Sequence, residues 1–233
     1  RNSFASDDYT IKSYSAQVSG RYPLNAFVKF GTHYRIKHSF VTLKGIPHIK
    51  RNRELIHESR NGGLISAAGI ELYYDSTNHP RGPTAGMRST LSLEYAGLGG
   101  DHTFTSLSYI NSLYWSPYKR GVFRVRANFR FIKTLGSTDP RDLPLDERLY
   151  CGGETSVRGY IFNRVGPKFH DRERTVRGGM SELLLSGEYK QYLFKKLDAF
   201  VFFDAGNAYW KQFYLGKLRY SAGYGVKVKL AEN

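Results

Sequence analysis

The sequence holds a single cysteine, Cys151, which excludes an internal disulfide framework and leaves the redox compartment open. No run of about 18 apolar residues occurs anywhere, which excludes a bundle of membrane-spanning helices. The seven histidines, His33, His38, His48, His57, His79, His102 and His170, show no paired metal-ligand spacing. A Ser–His–Asp set, a Walker loop and a zinc signature are missing as well, so the chain is expected to be no enzyme and to use no cofactor. Acidic residues are few, 20 against 35 Lys and Arg, and the charge of +15 by itself suits nucleic acid or an anionic membrane surface. No initiating Met and no signal peptide are visible, and the chain stops just after a strand-like run, so both ends read as cuts in a longer protein.

Aromatic residues, by contrast, make up 15% of the chain, a share that suits a β protein with one greasy and one wet face. Alternation with period two recurs throughout. Tyr14, Ala16 and Val18 oppose Ser13, Ser15 and Gln17, and Val28, Phe30, Tyr34 and Ile36 oppose Lys29, His33, Arg35 and Lys37. The clearest run sets Phe123, Val125, Ala127, Phe129 and Phe131 against Arg124, Arg126, Asn128 and Arg130. Residues 41–63 read as loop. The whole pattern predicts about nine strands of roughly 10–14 residues. Strands of soluble proteins average about 5–6 residues, whereas a tilted membrane-spanning strand needs about 9–11. An arginine stripe facing a sealed apolar core would be very costly, yet it is at ease lining a hydrated lumen. The expected fold class is therefore all-β, an antiparallel transmembrane β-barrel with Tyr and Trp near the lipid interfaces. The strand arginines belong to its lumen and not to a nucleic-acid platform. A soluble sandwich with one face in water is the alternative.

One connection, residues 135–177, is long and polar, and connections of that length are usually functional or disordered. Its centre reads Gly152-Gly153-Glu154-Thr155-Ser156-Val157-Arg158-Gly159-Tyr160, preceded by Glu147-Arg148-Leu149-Tyr150-Cys151. Gly166-Pro167 and Gly178-Gly179 follow, then Glu188, then Phe203-Asp204-Ala205-Gly206-Asn207, then Ser221-Ala222-Gly223-Tyr224-Gly225-Val226. Upstream lie Tyr74-Asp75-Ser76 and Pro83-Thr84-Ala85-Gly86. In this order the stretches resemble the motifs of the BamA-type superfamily of outer-membrane β-barrel assembly proteins, over residues 65–230. The resemblance implies that the loop folds back inside the barrel and that Arg158 meets Glu188 and Asp204 on the inner wall. Val157, Gly159, Tyr160 and Gly206 would share those loop and lumen contacts. Alternation agrees for Glu188, and a guanidinium is a planar fork suited to carboxylates. The plain alternatives are a solvated loop arginine and ordinary lumen carboxylates. Gly159 is either needed for close backbone approach or one loop glycine among many, and Cys151 reads as a small hydrophobe.

The resemblance also implies a function: insertion of unfolded outer-membrane proteins into the outer membrane of a Gram-negative bacterium, without nucleotide or chemistry. Its partners would be outer-membrane lipid and lipopolysaccharide, the unfolded substrates and accessory lipoproteins, with no nucleic acid. Residues 1–233 would be the C-terminal portion of one barrel domain, lacking the N-terminal POTRA domains, the first strands and the last strand. The basic residues Lys50, Arg51, Arg53, Arg60, Arg172, Arg174 and Arg177 either touch anionic lipid phosphates or are solvated. A translocation pore of the same superfamily, of the two-partner-secretion or TamA-like kind, is the alternative function, and a diffusion porin a more distant one.

Overall fold

Period-two alternation becomes two faces once the register is fixed. The computed structural model describes residues 2–5, 9–43, 53–59, 62–169, 175–194 and 197–228. Ten strands form one antiparallel sheet in chain order: β1 (Asn2–Ala5), β2 (Tyr9–Pro23), β3 (Val28–Leu43), β4 (Gly63–Asp75), β5 (Gly86–Ala96), β6 (Phe104–Trp115), β7 (Gly121–Thr134), β8 (Ser181–Phe194), β9 (Leu197–Tyr209) and β10 (Arg219–Val228). Nine of them run 10 to 16 residues, and only β1, with 4, is short. The expected all-β, antiparallel barrel-wall class is the one found.

One face carries unbroken apolar rows. Phe30 pairs with Leu72, Leu72 with Leu91, Leu91 with Tyr109, Tyr109 with Phe129 and Phe129 with Leu183. Many side chains of this face are widely exposed, among them Val18 at 78%, Val201 at 53% and Tyr224 at 88%. Soluble proteins rarely expose contiguous apolar patches beyond a few hundred Å², so this surface belongs against lipid. The opposite face carries polar rows, such as Glu71, Ser92, Ser108, Arg130 and Glu182 in successive register. That face is concave, because the single β7–β8 connection touches the inner sides of both β3 and β9.

Connections alternate between the two ends of the sheet. At one end most are tight, as at residues 24–27 and 116–120, with 76–85 the longer exception. At the other lie the two longest, 44–62 and 135–180, the arrangement of an outer-membrane barrel with short inner turns and longer outer loops.

Three expectations need correction. Residues 41–63 are not all loop: β3 continues to Leu43, and a short helix, α1 (Arg53–Ser59), precedes β4. The lumen is not polar throughout. Ile65, Ala67, Ala96, Phe104 and Ile132 point inward near the long-loop end and are buried under Leu143, Leu149 and Met180. Trp210 packs against this inner cluster and not at a lipid interface. Of the basic residues singled out above, Lys50, Arg51, Arg60, Arg172 and Arg174 lie outside the described residues, and Arg53 begins α1. Among the described residues no helix is long and apolar enough to cross a membrane.

Candidate functional site: the loop tip and its seat on the wall

The seat is made by register alone. Two adjacent inward rows cross β7 to β10: Arg124, Glu188, Phe202 and Gly223 in one, Arg126, Ser186, Asp204 and Ser221 in the other. Phe202 shares the inner face with Asp204 because the two are two residues apart on one strand. A Cβ on Gly223 would fall 2.7 Å from the Phe202 ring, so glycine there leaves room for the ring to lie along the wall.

The tip of the β7–β8 loop is set onto this seat. Leu149 bridges Gly179 and Cys151 bridges Val165, which makes the loop a narrow hairpin. The Gly153 amide donates to the Val157 carbonyl at 3.2 Å and closes the turn. Val157 is fully buried against the wall. Arg158 then reaches both rows. Its backbone amide and Nε donate to Asp204 Oδ2 at 3.0 and 2.8 Å, and Nη2 donates to Asp204 Oδ1 at 2.9 Å. Nη1 donates to Glu188 Oε2 at 2.6 Å, and the guanidinium carbon stands 3.7 Å from the centre of the Phe202 ring. The Ser186 hydroxyl donates to Asp204 Oδ1 at 2.6 Å. From the wall, Arg126 Nη1 donates to the Thr155 carbonyl at 3.1 Å.

The electrostatics favour this pairing. Asp204 is fully buried and Glu188 nearly so, and two carboxylates side by side without a cation would repel. Burial alone would lower the Arg158 pKa, but its hydrogen bonds to Asp204 and Glu188 outweigh that and raise it. Breaking a buried pair by removing one partner costs about 3–5 kcal/mol. The wet lumen reduces that figure here. Both carboxylates are committed to the guanidinium, so the constellation can clasp, but it presents no free base or nucleophile.

Glycines 159 and 206 have different reasons. At Gly159 a Cβ would meet nothing closer than Ser221 Cβ at 4.0 Å, so the site is open; what requires glycine is its φ of 82°. At Gly206 a Cβ would lie 2.9 Å from both the Leu183 carbonyl oxygen and Val157 Cγ2. The missing side chain there is what lets the tip touch β9. Tyr160 donates to the Tyr220 carbonyl at 3.3 Å. All seven residues singled out in the sequence, Val157, Arg158, Gly159, Tyr160, Glu188, Asp204 and Gly206, thus meet in one place. Sequence reasoning missed Ser186 and Phe202, although each shares an inward face with a residue it had picked, two positions away.

The Omp85 superfamily domain model matches residues 1–231. The chain belongs to the Omp85 superfamily. Among curated proteins, the SAM50-like protein CG7639 of Drosophila melanogaster is 28% identical over 179 residues, covering 72% of this chain and 39% of the relative. Among solved structures, BamA from Haemophilus ducreyi lacking POTRA domains 1–3 superposes with a TM-score of 0.77 at 16% identity, covering 94% of this chain and 48% of that one. CdiB from Acinetobacter baumannii superposes at 0.56 with 14% identity, covering 95% of this chain and 37% of that one. At such identities the two structures show a shared fold. The chain spans less than half the length of each of these three relatives.

A second cluster of this Omp85 domain corrects the reading of Arg177 as a lipid-contacting or solvated arginine, since its side chain is paired with a buried carboxylate. Arg148, fully buried, donates to the carbonyls of Leu143 and Arg141 and, at 2.6 Å, to Glu58 of α1. Arg177 pairs with the same carboxylate and lies 3.6 Å from the centre of the Trp210 ring. Glu58 and Arg148 are 90 residues apart, and no local pattern links them. Cys151 is buried beside Glu182, and burial first, then that carboxylate, pushes its thiol up to about 12, so it packs as a small protonated side chain. No group of three or more potential metal ligands occurs among the described residues.

Proposed function

We propose that the protein works in an outer membrane as a factor that assembles and inserts β-barrel proteins, without nucleotide and without bond chemistry. The observation that carries this reading is the clasp of Arg158 on Asp204 and Glu188 inside an Omp85 barrel wall. In the family that the motifs resemble, this loop belongs to the insertion machinery, in which incoming strands are templated by edge pairing. Unfolded outer-membrane proteins are the proposed substrates. Membrane lipid, lipopolysaccharide and accessory lipoproteins are the proposed partners where the membrane is that of a Gram-negative bacterium. The Drosophila relative supports the family in an animal as well, so an organellar outer membrane is the other setting. The region would form part of a single barrel domain of a longer protein with N-terminal domains.

The test is a charge swap in the full-length protein. Arg158→Glu is expected to reduce assembly of outer-membrane proteins and lower the temperature of the heat-modifiable gel shift. Adding Glu188→Arg or Asp204→Arg is expected to restore part of both. Normal assembly and folding in Arg158→Glu would end this reading. A second reading, a protein-translocation pore, is supported by the fold shared with CdiB. Under it, the swap impairs export of one passenger and leaves general assembly untouched.

A further inference from the structure

The loop is held at a second place, by charges of the opposite sign. Twelve and eleven residues before the tip arginine the chain carries Asp146 and Glu147. Both face β3, which is separated in the sheet from the Arg158 seat on β7 to β10 by β4, β5 and β6. Arg35 donates to Glu147 through Nη1 at 3.0 Å and Nη2 at 2.8 Å, a two-pronged contact. Lys37 reaches Glu147 at 2.7 Å and Asp146 at 2.6 Å, and the Ser39 hydroxyl donates to Asp146 at 2.7 Å. Arg35 is itself steadied by Glu94, which it meets at 2.7 and 2.8 Å and which also contacts His33 at 3.0 Å. Every charged side chain of the group except His33, at 19%, is 17% exposed or less, so these are not screened surface pairs.

We infer that Asp146 and Glu147 are positioning residues: with the basic stripe of β3 they fix where the loop stem crosses the lumen, and thereby where Arg158 lands. The tip and stem anchors have opposite polarity. The basic tip sits on the acidic pair of β8 and β9, and the acidic stem sits on the basic pair of β3. A loop turned about would set like charges together at both ends. One displaced by one strand would leave Asp146 and Glu147 against the uncharged Ser15 and Gln17 of β2 or Ile65 and Ala67 of β4, so the pair of anchors selects one orientation. Arg148, next to Glu147, points the other way and ties the stem to α1. The loop is therefore a strut between two walls.

The inference deepens the assembly reading, but its first readout does not depend on it. The full-length protein and its Glu147→Gln, Glu147→Arg and Glu147→Arg/Arg35→Glu variants are placed in phospholipid vesicles. Hydrogen exchange is then followed by mass spectrometry over residues 150–165, with the heat-modifiable shift reporting the barrel. Glu147→Arg is expected to speed exchange at the tip by at least about ten-fold, the factor that 1.4 kcal/mol of local stability represents. The double variant is expected to recover most of the protection, because the new cation then faces both the new carboxylate and Glu94. Faster exchange confined to 141–149, with the tip as protected as in the parent, overturns the inference. Where Glu147→Arg does not fold, Glu147→Gln gives the same reading with a smaller rise. A loosened tip with unchanged outer-membrane-protein insertion would uphold the strut and refute the assembly role of the loop. Impaired insertion with an unaltered tip would do the reverse.

Discussion

At Gly206 the wall has to make room, and a single hydrogen atom decides whether the loop tip can sit. A methyl there would press on the Leu183 carbonyl, which belongs to the sheet ladder and cannot move aside, and on Val157, which can. Gly206→Ala is therefore expected to cost about 1–3 kcal/mol, the range for overpacking a close-packed site. Adding Val157→Ala removes the softer of the two contacts and is expected to return part of that loss. The midpoint of the heat-modifiable transition in detergent measures both, and an unchanged midpoint in Gly206→Ala would show that the contact is not tight. Gly159 belongs to a different case: Asn, which tolerates positive φ, should replace it better than Ala does, because conformation and not space is limiting there.

The element that organises the lumen is the β7–β8 loop, and its base is closed by α1. Glu58 lies between Arg148 and Arg177, at 2% exposure and with Arg148 at 0%. Glu58→Gln leaves two guanidinium groups facing each other without a counter-charge, and breaking such a pair costs about 3–5 kcal/mol. The expected result is faster hydrogen exchange in 53–59 and 141–149, with the gel shift of the barrel retained. Unchanged exchange would mean that α1 is held by something else. This cluster also marks the limit of what the sequence discloses. Strands were legible because their period is local: Arg124 to Arg130 and their apolar neighbours announce two faces without reference to any partner. The tip was legible because Arg158, Glu188, Asp204 and the glycines fall in ordered motifs. Helix α1 was not, since seven residues hold barely two turns and show no amphipathic repeat. The inward Ile65, Phe104 and Ile132 were not, since what covers them is a loop distant in the chain.

Taken whole, the molecule turns its apolar face outward and its polar face to the lumen, and neighbouring residues on one strand test which face is which. Leu91 lies mid-strand on the apolar face between Leu72 and Tyr109, while Ser92 looks into the lumen between Glu71 and Ser108. In a barrel facing lipid, Leu91→Arg puts a charge into hydrocarbon and is expected to cost about 2–4 kcal/mol near the midplane. Ser92→Arg places the same charge in water beside Glu71 and is expected to cost little. A soluble sandwich keeps the same order, because it packs the leucine row into its core and wets the serine row, so the comparison fixes which face is apolar. Stable retention of the parent in the vesicles, not in buffer, is what sets lipid apart from a second sheet. Unfolding both variants by denaturant from phospholipid vesicles gives the comparison directly. A larger loss for Leu91→Arg follows from the lipid-facing arrangement, and a larger loss for Ser92→Arg would invert the assignment of every strand. The register ties all the faces together, so one residue's step along β5 fixes the sidedness of the entire sheet.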